Sequence, residues 1–147
     1  MIRLNSISPF QLYQIVFKRW DLRIKKCVDK FHNEDGTYTS FMSASSQFLA
    51  VGAESGVVNI YNDRNNSNYY QNNRNSMKRD PVKSIMSLHT SVNNMKLNTE
   101  GQILAFSSRQ EKGSLKLLYV PTQTVFSNWP TTKTLLLYAW SSGFQSR

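Results

Sequence analysis

Three groups of residues have types that chemistry uses. His32 stands beside Glu34 and Asp35, a spacing in which a carboxylate can orient an imidazole as a general base. The group falls in the turn-forming stretch His32-Asn-Glu-Asp-Gly36. Serine, histidine and aspartate all occur, but a triad needs convergence from distant chain, and no strand-turn-helix nucleophile elbow is present. Cys27 lies among Arg23, Lys25, Lys26 and Lys30, cations of the kind that favour a thiolate. Its alternation with Val28 and Phe31 fits ordinary packing more simply. Gly52-Ala-Glu-Ser-Gly56 is bounded by glycine but lacks the Gly-Lys-Ser/Thr of a phosphate loop, and a strand rather than a helix follows it. The expectation is a protein that is not an enzyme and carries no cofactor.

Binding is better represented. Eighteen basic and nine acidic side chains give a net charge of +9, which draws a chain toward polyanions. The basic set Lys18, Arg19, Arg23, Lys25, Lys26 and Lys30 is the candidate contact surface, able to neutralise phosphates without reading sequence. Asp21 and Asp29 dilute it, so a solvated turn fits equally well. In the asparagine-rich stretch 62–80, Tyr69 and Tyr70 with Arg64, Arg74, Lys78 and Arg79 could stack on and neutralise RNA; a low-complexity loop that touches nothing is the simpler reading. Cys27 is the sole cysteine, and His32 and His89 lie far apart. Neither an intramolecular disulfide nor a structural zinc site can be built from them. No apolar run reaches the roughly 20 residues that span a bilayer, and residues 1–19 lack a small-residue cleavage site. Neither a membrane nor a small-molecule substrate is expected as a partner.

These residues must be positioned by strands. Phe48-Leu-Ala-Val51 and Val57-Val-Asn-Ile-Tyr61 are apolar, β-branched or aromatic runs joined by a glycine-bounded connection, a hairpin signal. Before them, 13–20, 27–31 and 37–44 read as strands; after them, 82–88, 92–97, 103–106, 115–120 and 124–126 do. No stretch carries a helical stripe. Residues 1–12 have no clear period and read as an irregular lead-in.

The strands repeat. Leu49-Ala-Val51, a turn and Val57 to Tyr61 correspond to Leu104-Ala-Phe106, a longer turn and Leu115 to Tyr119, with Trp20 closing an earlier copy. Trp20 and Tyr61 are 41 positions apart, within the about 40–45 residues of a WD-type repeat. Tyr61 and Tyr119 are 58 apart, the surplus being about the length of the asparagine-rich insertion. Each such repeat supplies one four-stranded sheet of a radial array. Trp20-Asp21 is the dipeptide that names these repeats, whereas the Gly-His pair is absent and the blades are degenerate. Trp20, Tyr61, Tyr119 and Trp129 recur at blade positions and are expected to pack in the core rather than stack on bases.

Five strings carry a specific resemblance: Trp20-Asp-Leu-Arg23 with Lys26-Cys27, Gly56-Val-Val-Asn-Ile-Tyr-Asn62, Pro81 to Ser87, Asn98 to Ala105, and Thr124-Val-Phe-Ser-Asn-Trp-Pro130. Together they resemble the C-terminal propeller of the U3 small nucleolar RNA-associated protein 18 family. The resemblance implies an all-β, incomplete WD40-type β-propeller of about two and a half blades. Residues 1–12 would be the lead-in, 13–130 the partial propeller with loop 62–80, and 131–147 the truncated start of the next blade. It further implies a non-enzymatic scaffold of the small-subunit processome, supporting 18S rRNA maturation in the nucleolus. The implied partners are processome proteins, U3 snoRNA and pre-rRNA. Members of that family carry a long N-terminal extension and further blades, and Met1 to Tyr13 matches none of it. A generic WD-repeat interaction module and a truncated product without function of its own are the alternatives. A truncated array exposes strand edges and is not expected to behave as a cooperative monomer.

Overall fold

The computed structural model describes residues 2–5, 16–33, 38–62, 79–131, 133 and 136–145. The described residues form eleven strands and no helix: β1 (Ile2–Asn5), β2 (Val16–Asp21), β3 (Lys26–His32), β4 (Thr39–Ala44), β5 (Phe48–Ala53), β6 (Val57–Asn62), β7 (Lys83–Met86), β8 (Asn94–Leu97), β9 (Ile103–Ser107), β10 (Lys116–Tyr119) and β11 (Thr124–Val125). They pair as three antiparallel meanders, β1-β2-β3, β4-β5-β6-β7 and β8-β9-β10-β11.

The middle sheet explains why its sequence is apolar in continuous runs. Leu49 pairs with Tyr61 and Val51 with Asn59, while Ala50 pairs with Ile60 and Gly52 with Val58. Residues two apart share a face, so each set lines one side. Leu49, Val51 and Tyr61 join Phe17 and Phe31 of the first sheet in one buried cluster, with Met42 against it. Ala50, Val58 and Ile60 join Met95, Leu97, Leu104, Phe106 and Leu118 of the third sheet in another. A sheet buried on both faces needs apolar residues at consecutive positions rather than at alternate ones. Each large side chain so buried contributes about 1.5–3 kcal/mol.

The third sheet packs closely on the middle one at Gly52. A Cβ on Gly52 would lie 2.8 Å from Val92 Cβ and from Met95 Cε. Ser40 Oγ donates to Val92 O at 2.6 Å, and Leu97 N donates to Ser43 Oγ at 2.9 Å. These bonds set β4 beside β8, first strand against first strand. Gly56 turns the β5–β6 hairpin at φ 86°.

Two expectations change. Within the expected irregular lead-in, Ile2–Asn5 form β1, registered against Asn5↔Val16 through Ile2↔Arg19. Its pairing comes from the β2 backbone, which leaves no trace in a side-chain period. The 82–88 run is strand only over Lys83–Met86, and it belongs to the middle sheet, whereas β8 starts the third. Residues 63–78, most of the asparagine-rich stretch, lie outside the described residues.

Candidate interaction surface

Alternation along β2 divides the basic set. Phe17 and Phe31 stack toward the middle sheet with ring centroids 5.0 Å apart. Lys18 and Lys30, their neighbours in sequence, leave the opposite face, and they stand directly across from each other in the β2–β3 register. Arg19 leaves on the Phe17 side. Arg23 and Lys25 occupy the four-residue turn between the strands, and Lys26 opens β3. The six cations thus form a lysine pair on an outer face, a cationic turn, and one arginine turned the other way. They are not one surface.

Asp21 organises the turn. Its Oδ1 accepts the Arg23 backbone N–H at 2.8 Å, and its Oδ2 pairs with Arg23 Nη2 at 3.3 Å. The Arg23 side-chain hydrogen bond, with that backbone bond, holds the Asp21 carboxyl below its ordinary value of 3.8. So the aspartate of the Trp-Asp pair is spent on a local turn. Lys25 completes the turn at φ 51°. Trp20, expected in the core, is 40% exposed, in contrast to the fully buried Tyr61. Three residues on from Phe17, Trp20 falls by alternation in the row of Lys18, away from the core that Phe17 enters. Tyr119 and Trp129 are half-buried.

The remaining candidates for chemistry sit as follows. His32 ends β3, half-buried, with Nδ1 out of contact with water and without a hydrogen-bond partner; Glu34 and Asp35 lie outside the described residues. Cys27 is half-buried, outside any disulfide, and opposite Trp20. Gly52–Gly56 ends one strand and begins the next, with Glu54 N donating to Tyr38 O at 2.8 Å. No group of three or more His, Cys, Asp or Glu among the described residues is placed to hold a metal ion.

A buried polar centre escaped the sequence reading. Asn33, just past β3, accepts hydrogen bonds at Oδ1 from Asn59 Nδ2 and from Tyr61 Oη, both at 2.8 Å. Arg79 lies over the rings of Phe31 and Tyr61, 5.0 and 5.5 Å from their centroids, and its Nη2 donates to Asn62 O. Arg79 is 8% exposed. It therefore ties the segment leading into β7 to the seam between the first and middle sheets. In sequence it was the last cation of a polar tract, and nothing there separated it from Lys78.

The segment 136–145 runs along the far side of the third sheet. Ser107 Oγ donates to Ala139 O at 3.4 Å, Asn94 Nδ2 to Ser142 Oγ at 2.9 Å, and Gly113 N to Leu137 O at 2.9 Å. Arg109 lies 5.3 Å from the centroid of Trp140, whose ring is left largely exposed.

Sheets of four strands in meander order, stacked face to face with their first strands adjacent, define a WD40-type β-propeller, present here as an incomplete array. Solved structures share it. The RRP9 WD40 repeats match at a TM-score of 0.59 and 13% identity, over 86% of this chain and 40% of that one. U3-55K matches at 0.59 and 12%, over 86% and 41%. No protein-family model matches. Among curated proteins, U3 small nucleolar RNA-associated protein 18 homolog of Mus musculus is 39% identical over 116 residues, 78% of this chain and 20% of the relative. The Arabidopsis thaliana homolog is 37% identical over 121 residues, 81% and 21%. The Saccharomyces cerevisiae protein is 36% identical over 127 residues, 82% and 20%. Over about four fifths of its length, the chain is a homologue of one segment of the U3 small nucleolar RNA-associated protein 18 family. It spans about a fifth of the length of those relatives.

Proposed function

We propose that this chain is propeller structure of a non-enzymatic scaffold in the U3-containing small-subunit processome, where it supports maturation of 18S rRNA in the nucleolus. The sequence similarity to U3 small nucleolar RNA-associated protein 18 carries this reading. The fold supports it, because a propeller commits its apolar faces to neighbouring sheets and leaves turns, edges and outer faces for docking. Partners in this role are processome proteins together with U3 snoRNA and pre-rRNA. Within the basic set, Lys18 and Lys30 are the residues suited to phosphate. Like charges directly opposite on a sheet repel, and a shared anion relieves that repulsion. Residues 131–147 act as the start of a further blade.

The test is to tag the protein in its own cells, precipitate it under native conditions and measure U3 snoRNA in the precipitate. The reading expects U3 enriched over a mock precipitation, and accumulation of unprocessed small-subunit pre-rRNA when the protein is depleted. Recovery of protein partners without U3 would leave a generic WD40 interaction module instead. Recovery of neither would favour a product without function of its own.

A further inference from the structure

The turn between β2 and β3 is costly for a purely structural connection. Leu22 and Ile24 are 66% and 57% exposed, and neither belongs to either core cluster. Turns favour Gly, Asn, Asp, Ser and Pro, yet this one reads Leu22-Arg-Ile-Lys25. Lys25 holds a left-handed φ of 51°, where glycine or asparagine would sit at lower cost. Asp21 nevertheless fixes the turn through its two contacts with Arg23. The result is an ordered tip with two exposed aliphatic side chains beside Lys25 and Lys26, Asp21 and Arg23 being engaged with each other. Trp20, also partly exposed, adjoins it in sequence.

We propose that the Leu22–Lys25 tip docks an acidic segment of a partner protein in which carboxylates are interleaved with large apolar side chains. Charge complementarity selects the anion, and the aliphatic pair selects its class. RNA would satisfy Lys25 and Lys26 but leave Leu22 and Ile24 facing water, since bases stack on planar side chains rather than on branched aliphatic ones. A peptide covers both at once. The inference is independent of the ribosomal role: the tip can bind such a segment whether or not U3 co-purifies.

Fluorescence anisotropy of three labelled probes against the full chain tests it. The probes are a short peptide alternating Glu with Leu and Phe, a Glu/Ser peptide of equal length and charge, and an oligouridine. The apolar-acidic peptide binds tightest. Leu22→Ser with Ile24→Ser weakens it about tenfold, the effect of losing roughly 1.4 kcal/mol of apolar burial, and leaves the other two probes unchanged. Lys26→Glu weakens both peptides. All three side chains lie at the surface, and a circular dichroism spectrum matching the parent's checks that each variant keeps its sheets. Equal binding of the two peptides, or indifference to the double substitution, would overturn the proposal. Oligouridine binding tightest, with loss in the double variant, would reassign the tip to nucleic acid.

Discussion

Taking a guanidinium out of water costs several kcal/mol unless neighbours replace its hydration. Arg79 is held between two aromatic faces and a backbone carbonyl, so it acts as a rivet between the first and middle sheets. Arg79→Ala removes those contacts and should cost about 2 kcal/mol; Arg79→Lys keeps the charge but not the planar stacking and should recover less than half. The shift in the urea midpoint of the β-sheet circular dichroism signal measures both, and an unchanged midpoint in Arg79→Ala would refute the role. Asp21 behaves differently because its carboxyl is solvated. Its folded pKa lies below its unfolded value, so its contribution to stability is present above the unfolded pKa and lost as pH falls through the folded one. The melting temperatures of the parent and Asp21→Asn should therefore differ slightly at neutral pH and converge only as pH falls through the folded pKa, below the ordinary value of 3.8. A gap that persists in acid would mean the ion pair with Arg23 is not its source.

At the scale of elements, the β5–β6 hairpin has the least freedom to vary. Gly56 combines a φ of 86° with a Cβ position 2.5 Å from Leu88 O, backbone that cannot swing aside as a side-chain tip would. Gly56→Ala should cost about 1–3 kcal/mol, read as a lowered urea midpoint; a midpoint equal to the parent's would show that Leu88 yields. This hairpin was also the most legible part of the sequence, because burial on both faces wrote continuous apolar runs and the turn demanded glycine. The repeat was legible because Trp20, Tyr61 and Tyr119 each fall at or one residue before the end of a third strand in chain order or its counterpart, β2, β6 and β10. β1 was not legible, since its partner supplies its pairing. The basic set was misread as one surface because a linear cluster of cations does not reveal that Lys18 and Arg19 leave opposite faces of a strand. Trp20 was misplaced because its repeat position was read without the strand's alternation, which puts it on the Lys18 face and not on that of Phe17.

Among the described residues, only the middle sheet is covered on both sides by other sheets. The segment along the third sheet leaves Leu137, Tyr138 and Trp140 between 45% and 67% exposed, adjacent apolar surface of the kind that invites contact with another chain. Expressed as these 147 residues, the chain should self-associate or melt broadly. Size-exclusion chromatography with light scattering and a thermal scan read this out, and one sharp transition from a monodisperse monomer would contradict it. The rivet at Arg79 has a different consequence. Arg79 bonds to the carbonyl of Asn62, and Val82 N to that of Ile60, so the two ends of the asparagine-rich stretch are pinned together whatever lies between them. For a chain whose ends are already fixed, doubling the length costs only about 0.6 kcal/mol. Lineages can therefore lengthen, shorten or rewrite this stretch almost without penalty to the sheets, and an experimenter can place a tag there on the same terms.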